Sequence, residues 1–91
     1  MNLVIEHLAD QRRFRARVEG LACVIDYELA GGVMTITHTG VPQALEGRGI
    51  AAALMAHALA WARQQGHRVQ ALCSYAQVYV RRHPEWQDLL V

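Results

Sequence analysis

The sequence is short of the features that would take it away from an ordinary folded domain. Only two of its 91 residues are cysteine, Cys23 and Cys73, 50 positions apart and without a CxxC pair. No disulfide framework is expected, and a reducing cytoplasm is the expected setting. No apolar run is long enough to span a bilayer. The start, Met1-Asn2-Leu3-Val4-Ile5-Glu6-His7, lacks the basic residues and long apolar centre of a secretory signal. The net charge is only +1, with a pI near 7.9, so neither nucleic acid nor a membrane is an expected partner. His7, His57, His67 and His83 have no metal-ligand spacing, and no metal is expected. A Ser-His-Asp order and a P-loop lysine are both missing.

What is there reads as one folded domain, residues 1–91. The hydrophobic share is 53%, and no repeat, linker or low-complexity tract interrupts it. A first strand is expected over 3–8 and a turn over 9–11. Residues 12–18 alternate, with Phe14, Ala16 and Val18 on one face and Arg13, Arg15 and Arg17 on the other, the pattern of a half-buried strand. Glu19-Gly20 supplies a hairpin turn, and a third strand over 21–29 puts Leu21, Cys23, Ile25, Tyr27 and Leu29 on its apolar side. After Ala30-Gly31-Gly32 a fourth, β-branched strand covers 33–39. Four strands joined by short turns make an antiparallel meander. Gly40 and Pro42 then end strand pairing. A helix is expected over 48–65, its inner face carrying Ile50, Leu54, Met55, Ala58, Trp61 and Ala62. Gly66 closes it, and a fifth strand over 68–72 follows, parallel to the fourth because a helix joins them. A second helix over 75–83 and a short third one over 85–90, opened by Pro84, complete the chain. The class is α+β (or α/β).

The stretch Ala44-Leu45-Glu46-Gly47-Arg48-Gly49-Ile50-Ala51-Ala52-Ala53 stands at the strand-to-helix corner. Two glycines there allow a sharp turn, and the first N–H groups of a helix lack internal partners and sit at its electropositive end. The corner is a natural seat for phosphate, with small alanines leaving the approach open. The bland alternative is a tight loop before a buried helix. Gly47-x-Gly49-x-x-Ala52 also fits a dinucleotide fingerprint, but the following strand ends in Leu72-Cys73-Ser74, without the acidic residue that motif needs.

The order β-β-β-β-α-β-α with this corner resembles the GNAT superfamily of acetyl-CoA-dependent N-acetyltransferases. Its (Gln/Arg)-x-x-Gly-x-(Gly/Ala) pattern is met by Glu46-Gly47-Arg48-Gly49-Ile50-Ala51 except at Glu46. The chain is most similar to the small YjdJ-like branch, through His38-Thr39-x-Val41-Pro42, Trp61-Ala62-Arg63, Cys73-Ser74-Tyr75, Tyr79 and His83-Pro84-Glu85. The resemblance implies a minimal GNAT fold: the antiparallel meander, the helix, a fifth strand parallel to the fourth and two C-terminal helices. It implies acetyl-CoA as acyl donor and an amine, small or on a protein, as acceptor. The amides of Gly47, Arg48, Gly49, Ile50 and Ala51, beside Ala52, are then expected at the pyrophosphate, with the Arg48 side chain adding charge. Thr39, Gly40 and Val41 are expected along the pantetheine arm, where the fourth strand splays from the fifth, and Ser74 and Tyr75 also beside the coenzyme.

Three residues are candidates for the chemistry. Cys73, at the end of the fifth strand and the start of a helix, reads as a nucleophile or acetyl-lining residue, or as a small buried side chain. His38, taken to share a face with Met34 and Ile36, reads as a general base or as a core residue. Tyr79 matches the superfamily tyrosine that protonates the departing thiolate, with Tyr75 one turn earlier on the same helix face, and either ring is equally at home in a core. Cys23 reads as structural. The arginine stripe of Arg13, Arg15 and Arg17 reads as a solvated strand face. The alternative to an enzyme is a non-catalytic acyl-CoA-binding regulatory module that meets a partner through that stripe.

Overall fold

Alternation decides the architecture. In the computed structural model, which describes residues 2–91, Phe14 and Ala16 are fully buried while their neighbours Arg13, Arg15 and Arg17 face away from the core. The strands are β1 (Ile5–Leu8), β2 (Arg13–Val18), β3 (Leu21–Ala30), β4 (Val33–Gly40) and β5 (Arg68–Ala71). They form one sheet in the order β1-β2-β3-β4-β5, antiparallel through β4, with β5 parallel to β4. Helices α1 (Ile50–Gln64) and α2 (Ser74–Arg82) and a 3-10 helix, Pro84–Leu89, follow as expected, with Pro84 in the first turn of the last. No helix among the described residues is long and apolar enough to cross a membrane.

The core lies on one side of the sheet. Cys23, Ile25, Tyr27, Met34, Ile36 and Val69 from the strands meet Leu54, Met55, Ala58 and Ala62 of α1. Leu59 is also fully buried, which the expected helix face omitted, while Trp61 is only half-buried at the rim. There Trp61 joins a cluster holding the first strand: His7 stacks on Phe14 at 4.1 Å, meets Trp61 edge-on at 4.5 Å and reaches the Tyr27 hydroxyl at 2.6 Å. Burial, and then the neighbouring His57, push the His7 imidazole below its ordinary pKa.

The opposite side of the sheet carries polar side chains. Arg13 donates from Nε and Nη2 to the two carboxylate oxygens of Asp26 at 2.6 and 3.1 Å, and Arg15 pairs with Glu6 at 3.1 Å. The arginine stripe is therefore largely matched by carboxylates on neighbouring strands, as a solvated charged face requires.

Three boundaries shift for local reasons. The expected turn over 9–11 is a 3-10 turn closed by Arg12 in a left-handed conformation (φ 55°), so β2 begins at Arg13. Pairing of β1 with β2 starts at Ile5↔Ala16, leaving residues 3 and 4 outside the strand. Helix α1 starts at Ile50 rather than 48, because Gly49 itself is left-handed at φ 79°.

Candidate active site

Two local irregularities make the site. The first is in β4. Its register with β3 runs Leu29↔Met34 and Tyr27↔Ile36, then shifts to Asp26↔His38, Ile25↔Thr39 and Val24↔Gly40. Thr37 is the extra residue of a bulge, and an extra residue turns every later side chain to the opposite face. Thr39 therefore joins Ile25 on the helix side. His38 faces Asp26 on the polar side, which corrects the expectation that it shares a face with Met34 and Ile36. Its ring lies over Gly40: a Cβ at that glycine would stand 2.9 Å from His38 Nε2.

The second irregularity is the separation of β4 from β5. Their pairing ends at Ile36↔Ala71, and the Ile36 carbonyl accepts from both Leu72 N at 3.0 Å and Cys73 N at 3.2 Å. Beyond it β4 continues to Gly40 while the chain leaves β5 for α2. In the resulting gap Thr39 Oγ1 lies 3.4 Å from Cys73 Sγ. Cys73 also caps α2, accepting the Ala76 amide N–H on Sγ at 3.4 Å.

The corner follows. Leu45, buried, anchors a 3-10 turn in which Leu45 and Glu46 donate to the carbonyls of Pro42 and Gln43. Gly47 and Gly49 then take φ of 81° and 79°, with Arg48 between them. The first backbone bond of α1 runs from Ala53 to Gly49, and among the described residues the amides from Gly47 to Ala52 donate to no backbone carbonyl. A run of free N–H groups at the electropositive end of a 15-residue helix is able to hold an anion.

These amides open on a cavity of about 390 Å³ that runs from the corner to the strand gap. Thr39 and Val41 line it from the end of β4, Gly47, Gly49, Ile50, Ala51 and Ala52 from the corner, and Tyr75 from α2. The expected cofactor residues thus largely come together. Gly40, Arg48 and Ser74 do not line it, whereas Leu45 and Glu46 do. The Arg48 guanidinium is instead bonded to the carboxylate of Glu19 in the β2–β3 turn. Glu46 brings a negative charge to the rim. Its place in the corner pattern marked it as a departure, although not as a lining residue.

The two tyrosines divide. Tyr79, expected near a departing thiolate, is 7% exposed and stacks on His83 at 3.9 Å, away from the cavity wall. Tyr75, 36% exposed, is the tyrosine on that wall. Burial raises both phenols above their ordinary pKa, with the neighbouring Tyr79 adding to the effect on Tyr75. Tyr75 is thus held in its protonated form.

Comparison with known proteins points one way. A sequence model described as GCN5-related N-acetyl-transferase matches residues 13–89. The human protein named NATD1 is 35% identical over 83 residues, covering 88% of this chain and 74% of its own length. Its zebrafish (Danio rerio) counterpart is 32% identical over 90 residues, covering 96% and 82%. The solution NMR structure of a GCN5-like N-acetyltransferase candidate from Staphylococcus aureus superposes with a TM-score of 0.79 at 27% identity, covering 99% of this chain and 89% of that one.

Proposed function

Since the chain belongs to the GCN5-related N-acetyltransferase family, we propose that it transfers an acetyl group from acetyl-CoA to an amine. The observation that carries this reading is the run of unpaired amides from Gly47 to Ala52 opening on the same cavity as Thr39 and Tyr75. The diphosphate belongs on those amides, which can donate without breaking any bond of the fold. The backbone of Thr39, Gly40 and Val41, free of β5 beyond Ile36, is suited to the amides of an extended pantetheine arm, as an added strand would be. Tyr75 closes the other wall, with Ser74 beside it in sequence at the start of α2. Bound there, acetyl-CoA supplies a thioester carbonyl activated for attack by nitrogen.

The chain's own groups then have defined tasks. Tyr75, protonated and on the wall, is the proton donor, a role that passes to it from Tyr79. His38, turned to the polar face by the bulge and in register with Asp26, is the proton acceptor for an amine reaching the gap from that side. The contact between Thr39 and Cys73 carries a covalent alternative, in which the acetyl group rests on Cys73 Sγ before transfer. We assign the whole of residues 1–91 to one catalytic domain. A reducing cytoplasm suits its two free cysteines, one buried and one at the site.

Calorimetry with acetyl-CoA, followed by thiol release across a panel of amines, tests this reading. Measurable binding with release on at least one amine is expected. A folded protein that ignores the coenzyme would overturn it. The second reading, a non-catalytic acyl-CoA-binding regulator, draws support from Glu46 at the rim and from Arg48 turned toward Glu19. It requires tight binding with no release on any amine.

A further inference from the structure

The turn between β2 and β3 holds a residue its backbone disfavours. Glu19 has a φ of 52°, in the left-handed region that glycine and asparagine occupy far more readily. Its side chain does not extend into solvent alone. It crosses to Arg48, 29 positions on in sequence, and bonds its guanidinium. Arg48 in turn sits between the two left-handed glycines of the corner. The pair also forms part of a second hollow, about 400 Å³, with Arg17 and Val18 of β2. A strained acidic residue thus stands where it reaches the one arginine of the corner.

We propose that Glu19 sets the affinity of the site for its coenzyme by competing with phosphate for the Arg48 guanidinium. This rests on the acyl-CoA reading above. Both partners are half-exposed, Arg48 by 43% and Glu19 by 61%, so their bond is readily exchanged for one to another anion. A diphosphate is the stronger claimant, since it brings two negative charges to the guanidinium where Glu19 brings one. The charges agree in direction. With Glu46 on the cavity rim, the corner side chains sum to one positive and two negative charges, so removing Glu19 leaves a corner less hostile to a diphosphate. Glu19 would thereby hold binding below its ceiling and keep release of the spent coenzyme rapid.

The test is calorimetry of the full chain with coenzyme A, and with pantetheine, which lacks the phosphates. Two variants remove the carboxylate differently: Glu19→Gln keeps the side-chain length, and Glu19→Gly also relieves the left-handed strain. Both should bind coenzyme A about two- to fivefold more tightly than wild type, the size expected when one exposed ion pair no longer competes. Pantetheine binding should not change, and the gain should shrink as salt is raised. Adding Arg48→Gln to Glu19→Gln should abolish the gain. Coenzyme binding that is unchanged or weaker in both single variants overturns the proposal, and so does a gain that survives loss of Arg48 or appears equally with pantetheine. If no folded form of the protein binds coenzyme A, the acyl-CoA reading itself has failed, and the role of Glu19 falls with it.

Discussion

Substituting Gly49 by alanine isolates the corner, because Gly66 provides a matched control at the other end of α1. Both glycines are left-handed, at φ of 79° and 74°. A Cβ added at either would meet nothing within 4 Å. Neither substitution creates a clash, so the cost is conformational: about 1–2 kcal/mol for a non-glycine residue held in the left-handed region. In a chain of this size that corresponds to a fall in Tm on the order of 5–15 °C. Gly49→Ala and Gly66→Ala should therefore lose similar stability by thermal or urea denaturation.

Their effects on coenzyme binding should part company. At Gly66 the chain merely turns from α1 toward β5, with its amide already bonded to Arg63. At Gly49 the same strain is relieved by moving the amides that are free to meet phosphate. Misdirecting one hydrogen bond to a charged oxygen costs about 1.5–3 kcal/mol, so Gly49→Ala should weaken coenzyme A binding roughly ten- to a hundredfold. Gly66→Ala should bind as wild type does at a temperature where both are folded. Equal affinity in the two variants would refute the assignment of these amides to the diphosphate.

Three further outcomes are expected. Cys73→Ala should leave single-turnover transfer intact if the amine attacks directly, and should abolish a hydroxylamine-labile acetyl label if the route is covalent. All nine basic residues are arginine, so no lysine amide on the chain can be confused with that label. Tyr75→Phe should lower the maximal rate of transfer and change its pH profile with little loss of stability, whereas Tyr79→Phe should alter stability more than rate, and the reverse pattern would return the proton-donating role to Tyr79. For His7, whose folded pKa lies below the unfolded value of about 6.5, the unfolded state binds the proton more readily. Stability is then fully present above pH 6.5 and is lost as the pH falls from there through the folded pKa. Thermal melts at pH 7.5 and 5.5 should show that decline, and His7→Gln should flatten it.

Periodicity carried most of the fold because the sheet is buried on one side only. The alternation of Phe14 and Ala16 with arginines, and of Cys23, Ile25 and Tyr27 with Asp26 and Glu28, gives each strand an unambiguous face. The corner was equally legible, since two glycines before an apolar helix admit few backbone paths. The left-handed start of α1 was not, because a sequence does not tell which of the two glycines closes the turn. Side-chain direction was harder still. Nothing in Arg48 shows that its guanidinium meets Glu19, a contact between residues far apart in sequence that only the hairpin brings together. Tyr75 and Tyr79 share a helical face by count, yet one lies at the cavity and the other under His83.

His38 shows why the remaining part resisted. Counting by twos from Met34 through Ile36 places it in the core, and that count fails because Thr37 adds a residue without adding a pair. Thr37, His38 and Thr39 are all acceptable strand residues, so no local preference marks the bulge. Its consequences are nevertheless coupled. The bulge sends Thr39 to the helix side, where it meets Cys73, and His38 to the polar side beside Asp26. It begins one residue after the last pair between β4 and β5. An extra residue strengthens strand twist and bends the strand away from its neighbour, which is what a gap between parallel strands requires. The same insertion thus accounts for the opening between the strands and for the presence of one candidate group on each of its two sides. A donor site on the helix face and an acceptor approach from the polar face would then share a single structural cause.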